Sequence, residues 1–568
     1  MMQAAANERR LWTLALGGAG ALFLVQPPVD AWWAAWLAPM PWLALVAVDA
    51  LPGRRPWRCL WVCGFVHWLA TIHWLRLPHP ATAIGWVALS AYLAVFTPAF
   101  VWLGRRLVHH WGWPVVPAAA LAWMACEQFR GQFCGGFTFA GLGHTQWRWT
   151  TLIQSADVCG AVGVSGLVVA VAAGLLVACL PRGGERRAGP ALANVATAGC
   201  LLAAALAYGQ WRLATAPPAQ GPPLELLLVQ GSIDTELKHD PDAATDVARH
   251  YDQLTVAGLA AWPTGSRPDL VVWPETMWRW GLLEIDPAET LDEPTVERLL
   301  GPEPAAADAT VRAQRQARCR RALEQERLDA LAAFARRYGG PWLVGLDRQV
   351  IAPGATRHYN CGLFLDAAGS PLACYSKLHP VMFGEYVPLA DRFPFLYRLT
   401  PLPAGLTAGT ELVAVEIAGH RVAVNICYET ALPGAVRSLV NGLGARGERP
   451  DLLVNLTNDG WFWGSSELDM HLVAAIFRAV EVRTPIAIAA NTGFSAAIDG
   501  CGRLLDRGPR RATATLRARL QPDGRRSPWL VTGTLPTAAC MAVAGTVMLE
   551  AALARRRRGR LHRPAGSG

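Results

Sequence analysis

Charge is scarce in this chain of 568 residues. Asp, Glu, Lys and Arg make up 17% of it and hydrophobic residues 52%, against about 25% charged in an ordinary soluble domain. The scarcity is local. From about residue 11 to residue 209 charges are confined to short connectors, whereas residues 223–520 have the composition of a soluble protein. A last apolar stretch and a basic tail follow. This pattern excludes a single water-soluble core and points to a membrane part and an extramembrane part. A second absence is any CxxC pair among the 13 cysteines. Cys59, Cys63, Cys200 and Cys540 lie in apolar runs, where a thiol acts as a small hydrophobe. We therefore expect neither a disulfide framework nor a zinc site or other metal centre. The net charge of +9 does not indicate nucleic acid, because the arginine excess clusters beside apolar segments, where it sets membrane topology.

A spanning helix needs about 20 mostly apolar residues. Seven such segments run near 11–26, 31–50, 58–77, 82–104, 112–127, 159–180 and 190–210, and an eighth near 528–553. The first follows Arg9 and Arg10 as a signal peptide would, yet it lacks a small-residue cleavage site and more spans follow at once. It reads as a retained anchor. Arg54, Arg55 and Arg58, then Arg105 and Arg106, then Arg182, Arg186 and Arg187 fall on alternate connectors, and the tail adds Arg555 to Arg558, Arg560 and Arg563. The other connectors carry only Arg76, Arg130 and Arg148. A cytoplasmic N-terminus satisfies all of them. Residues 1–210 then form a seven-helix bundle, residues 211–527 lie outside the cytoplasm, and residues 528–568 return the basic tail inside. The connector 128–158, with Trp147 and Trp149, reads either as a partly inserted loop near a lipid entry or as an interfacial cap.

In the extramembrane part, short apolar runs recur: Leu224–Gln230, Leu270–Trp273, Trp342–Leu346, Val422–Ile426, Leu452–Leu456 and Ile486–Ala490. They read as buried strands. Between them Leu328, Leu331, Ala335 and Tyr338, and then Leu468, Leu472, Ala475, Ile476 and Ala479, recur at helical spacing, with Pro485 as a stop. Strands alternating with helices predict an α/β layered fold. Residues 281–318, acidic and rich in Ala and Pro, show no clear period and read as an insertion on a loop rim.

Three segments put an ionisable or nucleophilic group at the end of a strand-like run: Trp273-Pro274-Glu275-Thr276, Tyr375-Ser376-Lys377 and Asn425-Ile426-Cys427-Tyr428-Glu429. A thiol attacks acyl carbon as thiolate and needs a base or a cation nearby. Glu275 suits the base, Lys377 a fixed cation for an oxyanion, and Cys427 the nucleophile. Singly, each has a bland reading, the Cys as packing and the two charges as solvated rim, and spacing alone does not bring them together. The aromatic run Trp461-Phe462-Trp463 is open to two readings, a lid that keeps water from an intermediate or core packing, and Trp278 and Trp280 read as lid or membrane anchors.

The same segments resemble the three signatures of the nitrilase, or carbon–nitrogen hydrolase, superfamily. The similarity is strongest to the apolipoprotein N-acyltransferases, and it covers nearly the whole chain. It rests on Gln230-Gly231 with Lys238, Trp273-Pro274-Glu275-Thr276, Tyr359-Asn360, Tyr375-Ser376-Lys377 and Phe383-Gly384-Glu385-Tyr386-Val387-Pro388. It continues through Cys427-Tyr428-Glu429, Asn458-Asp459-Gly460-Trp461-Phe462, His471, Arg478-Ala479-Val480-Glu481 and Asn491-Thr492-Gly493, with Glu127 and Arg130-Gly131 in the membrane part. The resemblance implies an αββα sandwich with a Glu275, Lys377 and Cys427 triad. It implies Glu385 as a second glutamate that positions the lysine and substrate, and Tyr428 and Glu429 as oxyanion or positioning support. The implied reaction moves an acyl chain from a membrane phospholipid, through a thioester on Cys427, to the α-amino group of a diacylated lipoprotein. It needs no cofactor, and it implies a bacterial inner membrane with the catalytic domain on the periplasmic side. The chain departs from the family pattern at His379-Pro380-Val381-Met382, at Thr484 and Ile488, and in the length of 281–318. Two rival readings stand beside this one: a membrane-anchored amidase with the same triad, and a non-enzymatic membrane scaffold with a degenerate domain.

Overall fold

The computed structural model describes residues 2–179, 188–216, 221–234, 241–303, 308–390, 392–399 and 405–561. Arg182, Arg186, Arg187, Lys238 and Arg563 lie outside the described residues. The chain divides into two compact units, one of residues 1–216, 465–483 and 525–568 and the other of 217–464 and 484–524. The division departs from the boundaries expected from sequence, because the helix Glu467–Val482 groups with the first unit.

The first unit is helical. Four of its helices are long and apolar enough to cross a membrane: Thr82–His109, Ala156–Cys179, Ala191–Ala214 and Leu535–Arg557. The other four expected spans are helical too, but fall short on length or charge. Pro56–Thr71 and Val115–Arg130 have 16 residues each, about 24 Å at 1.5 Å per residue against a hydrocarbon core of about 30 Å. Met2–Leu24 carries Glu8, Arg9 and Arg10 within its first half, and Trp32–Ala47 is a shorter apolar stretch. Small residues let these helices approach, as is usual where lipid removes the hydrophobic drive between them. A Cβ on Gly18 would meet Trp42 at 2.3 Å. The Trp42 indole instead lies against that surface and donates to the Ala15 carbonyl at 3.0 Å.

Two buried carboxylates in this unit are paired with arginines. The Asp157 carboxylate, fully buried, accepts from Arg212 Nε at 2.8 Å, Arg483 Nε at 2.8 Å and the Tyr208 hydroxyl at 2.6 Å. Glu481, also fully buried, accepts from Arg478 and from the Ala161 backbone N–H at 2.8 Å. These bonds tie Glu467–Val482 and its left-handed cap residue Arg483 to the helix Ala156–Cys179.

The second unit is a two-sheet sandwich. Its strands are β1 Leu224–Gln230, β2 Leu270–Ile285, β3 Trp342–Ala352, β4 Ala355–Leu365, β5 Pro371–Ser376, β6 Ala414–Ile417, β7 His420–Ile426, β8 Leu452–Thr457, β9 Ile486–Ala490, β10 Ala496–Ile498, β11 Leu504–Arg507 and β12 Ala514–Leu520. They form two six-stranded sheets, ordered β12-β1-β2-β3-β4-β5 and β11-β10-β9-β8-β7-β6. The central pairs are parallel and the outer ones antiparallel. Between the sheets lies a core of alternate residues, including Leu226, Leu228, Val272, Phe364, Val424, Val454 and Ala489. The opposite face of the first sheet is covered by the helices Ala244–Ala260 and Ala309–Tyr338 through Tyr251, Leu331, Ala335, Trp273 and Trp342. A third helix, Pro433–Ala445, buries Val436, Leu439, Val440 and Leu443. The layered α/β expectation holds, with each of the six expected strands in place.

Residues 281–318 are not a loop rim. They complete β2, form the helix Glu293–Leu300 and begin the 30-residue helix Ala309–Tyr338. Asp308 caps that last helix by accepting from Val311 N–H at 2.8 Å. The misreading has a physical cause: the helix start is mostly exposed and charged, so burial imposes no apolar period on it. Trp278 is not a lid or anchor either. It is 4% exposed and packs in the core beside Trp273, with Trp280 against its outer edge.

Candidate active site

The site is built where β5 and β7 end and where β2 bulges in mid-strand, so Glu275 is not at a strand end as expected from sequence. On β2 the ladder to β3 pairs Trp273 with Val344, then resumes only at Trp278 with Leu346. Four residues on β2 face the single Gly345 on β3, so the segment Pro274–Met277 bulges out of the sheet. Gly345 makes the bulge possible, since a Cβ there would lie 2.1 Å from the Pro274 carbonyl oxygen. Thr276, at φ +55°, completes the turn that aims Glu275 away from the strand.

Glu275 is 6% exposed and both its oxygens are engaged. Oε1 accepts from Asn360 Nδ2 at 2.6 Å and lies 3.6 Å from Lys377 Nζ. Oε2 accepts from the backbone N–H of Asn458 at 2.9 Å. Lys377, one residue past β5, is 1% exposed and donates to Glu385 Oε1 at 2.7 Å. Its backbone N–H donates to Asn360 O and its carbonyl accepts from Gly409 N–H, both at 2.8 Å. Burial alone would pull the lysine toward its neutral form, but Glu385, Cys427 and Glu275 outweigh that and hold its pKa above the ordinary value. It is a fixed cation.

Cys427 ends β7 in the left-handed region, at φ +53°, and opens the turn Cys427–Ala431. That backbone is costly for a residue with a side chain, by about 1–3 kcal/mol, and such strain collects at functional sites. The thiol is pushed well up by burial first and by the Glu275 charge second, with Lys377 opposing. It rests protonated, so attack on an acyl carbon needs a base to take its proton.

Glu429 ties two of these segments together. It is 1% exposed and accepts from the backbone N–H groups of Ile426 (2.7 Å), Leu378 (2.8 Å) and His379 (2.9 Å) and from the Tyr375 hydroxyl. With four donors on two oxygens, it braces the lysine segment against the nucleophile turn. Glu385 Oε2 similarly accepts from Val381 N–H at 2.7 Å. Tyr428 follows the thiol in the turn and is half-buried.

Trp461 and Trp463 are exposed, at 36% and 46%, which removes the core-packing reading for them, and Phe462 is half-buried. Trp463 is left-handed at φ +52° and lies beneath the Arg511 guanidinium, 5.4 Å from its ring centroid. Three amides hold the site: Asn360 on the carboxylate and Asn458 behind it, which the sequence offered only as parts of the resemblance and without a role, and Asn455, which it did not single out and whose Nδ2 donates to the Cys427 carbonyl at 3.1 Å. Asn455 had one signal, its place as a polar residue in the otherwise apolar run Leu452–Leu456.

Comparison with known proteins finds two family matches along the chain. Residues 18–174 match the apolipoprotein N-acyltransferase N-terminal domain, and residues 241–527 match the carbon-nitrogen hydrolase family. An apolipoprotein N-acyltransferase of Geobacter metallireducens is 30% identical over 92% of this chain and 92% of its own. One of Allorhizobium ampelinum is 30% identical over 96% of this chain and 98% of its own. A solved amidase of the nitrilase superfamily from Nesterenkonia is 17% identical, with a TM-score of 0.35, over 57% of this chain and 98% of that one. With both halves matched and relatives aligned from end to end, the chain belongs to the apolipoprotein N-acyltransferase family.

Proposed function

We propose that this chain transfers an acyl chain from a membrane phospholipid to the α-amino group of a diacylated lipoprotein, with Glu275, Lys377 and Cys427 as its catalytic triad. The observation that carries the reading is the buried cation Lys377, 3.6 Å from Glu275 and electrostatically coupled to the strained Cys427. In the first step Glu275 takes the thiol proton and the sulfur attacks the ester carbonyl. Lys377 stabilises the oxyanion. The ester C–O bond breaks, and the lysophospholipid leaves with the proton from Glu275. In the second step the amine nitrogen attacks the thioester, Glu275 takes its proton, and the C–S bond breaks to return the thiol. Glu385 holds the lysine, Glu429 and Tyr428 support the nucleophile turn, and Trp461, Phe462 and Trp463 form an apolar lid that keeps water from the thioester.

Both substrates carry acyl chains, which at about 0.8 kcal/mol per buried CH₂ keep them in the bilayer. The reading therefore includes eight spans, a catalytic domain of residues 211–527 on the periplasmic face of an inner membrane, and cytoplasmic termini. The four long apolar helices and the alternate arginine clusters support it.

The test is the intact mass of the full chain after incubation with phospholipid vesicles, together with complementation of cells lacking their own enzyme. We expect a lasting acyl adduct at Cys427, and a third acyl group on lipoprotein N-termini. Rapid release of free fatty acid without an adduct would support the amidase reading. Activity surviving in Cys427→Ser would remove the triad.

A further inference from the structure

Behind the carboxylate of Glu275 lies an amide that no polar contact leaves idle. Asn491 follows β9 and is fully buried. Its Nδ2 donates to Asn458 Oδ1 at 2.8 Å and to the Ile233 carbonyl at 2.7 Å, with Thr492 Oγ1 at 3.1 Å. Its Oδ1 accepts from Ile233 N–H at 2.9 Å and from the Tyr251 hydroxyl at 2.8 Å. Its backbone N–H donates to Thr457 O at 3.0 Å, and its carbonyl accepts from Ser232 N–H at 2.8 Å. One residue thus joins the ends of β8 and β9 in the second sheet to the chain leaving β1 in the first, and to the helix Ala244–Ala260 through Tyr251.

The position of that joint matters because Glu275 draws its ligands from both sheets. Asn360, which grips Oε1, is on β4 of the first sheet. Asn458, whose backbone N–H grips Oε2, follows β8 of the second. The Asn458 peptide points at Oε2 while its side chain is held by Asn491 and Gly460 N–H. Release of that side chain frees the peptide to turn, and the carboxylate loses the donor that fixes its angle to the thiol. A misplacement near 1 Å is enough to cost about a hundredfold in rate.

We infer that Asn491 is a positioning residue for the base, acting on Glu275 through Asn458. The inference rests on the reading of Glu275 as the base. It is tested on the full chain in detergent by single-turnover acylation of Cys427 from phosphatidylethanolamine micelles, read by intact mass, with steady-state kinetics beside it. Asn491→Ala is expected to lower kcat about tenfold to a hundredfold with KM for the phospholipid unchanged. Asn458→Ala, which removes only the handle, is expected to do the same, and the double variant to be no slower than the worse single one. In a Glu275→Gln background Asn491→Ala should slow the residual acylation no further. Equal slowing in both backgrounds, additive single effects, or a rise in KM without a fall in kcat would each overturn the inference. If Glu275→Gln acylates at the full rate, it is the reading of Glu275 as base that fails. If Asn491→Ala does not fold, Asn458→Ala and its cycle with Glu275→Gln decide the matter alone.

Discussion

The helical unit and the sandwich both bury charge, and they do so in opposite ways. Asp157 accepts from donors on Arg212, Arg483 and Tyr208, and Glu481 accepts from Arg478 and a backbone N–H. Each of these carboxylates faces a guanidinium, which stays charged at any accessible pH and presents its donors in a fixed fork. In the sandwich a lysine sits between two carboxylates, beside a thiol. On the proposed function the thiol proton is the mobile element, and Glu275, 3.6 Å from the lysine, receives it. The difference lies in the partners, guanidinium in one unit and an ammonium beside a thiol in the other, although the two look alike as buried ionisable residues in a sequence.

That contrast breaks if the two kinds of site respond alike to neutralisation. Glu275→Gln should give the largest effect, a fall of about 10²–10⁴ in the acylation rate of Cys427, with the thermal midpoint of the purified chain little changed. Asp157→Asn should do the reverse. Arg212 and Arg483 would be left buried without a full counter-charge, a loss of about 3–5 kcal/mol for a broken buried pair. Its checks are the thermal midpoint in detergent, which should fall, and the acylation rate of the protein that remains folded, which should not. An Asp157→Asn chain that keeps its midpoint but loses acylation would place the aspartate in the chemistry and erase the distinction.

How much of this was legible beforehand follows from burial. The six apolar runs became β1, β2, β3, β7, β8 and β9 because a strand covered on both faces must be apolar throughout, and that pattern survives any tertiary context. The strands missed were the outer ones. β5 starts exposed at Pro371 and Leu372, and β11 is mostly exposed, so neither carries a continuous apolar run. β2 was read to Trp273 and runs to Ile285, because the bulge that aims Glu275 also breaks the apolar pattern. The reactive residues stood out by type. Asn360, Asn455, Asn458 and Asn491 did not, since an amide is common in turns and its role here comes from partners far along the chain. The grouping of Glu467–Val482 with the helical unit was hidden for the same reason, being fixed by Arg483 and Glu481 reaching residues 157 and 161.

The smallest effect sharpens the comparison most, because it follows the mobile proton itself. Burial and the Glu275 charge push the Cys427 thiol up while Lys377 pulls it down. Alkylation of Cys427 by iodoacetamide, followed against pH, should reach half its limiting rate above about 8.5, the ordinary thiol value. Lys377→Met removes an opposing charge, so its midpoint should move further up. Glu275→Gln removes a like charge, so its midpoint should move down. The sign for stability follows from the same shift: the unfolded chain loses this proton above about 8.5 while the folded chain keeps it, so folding weakens as pH rises beyond that value. Cys427→Ala abolishes this part of the pH dependence and should flatten the alkaline side of the stability curve. Midpoints moving the same way in Lys377→Met and Glu275→Gln would mean that the two side chains do not act on the sulfur by charge, and the sandwich would then hold its lysine as the helical unit holds its arginines.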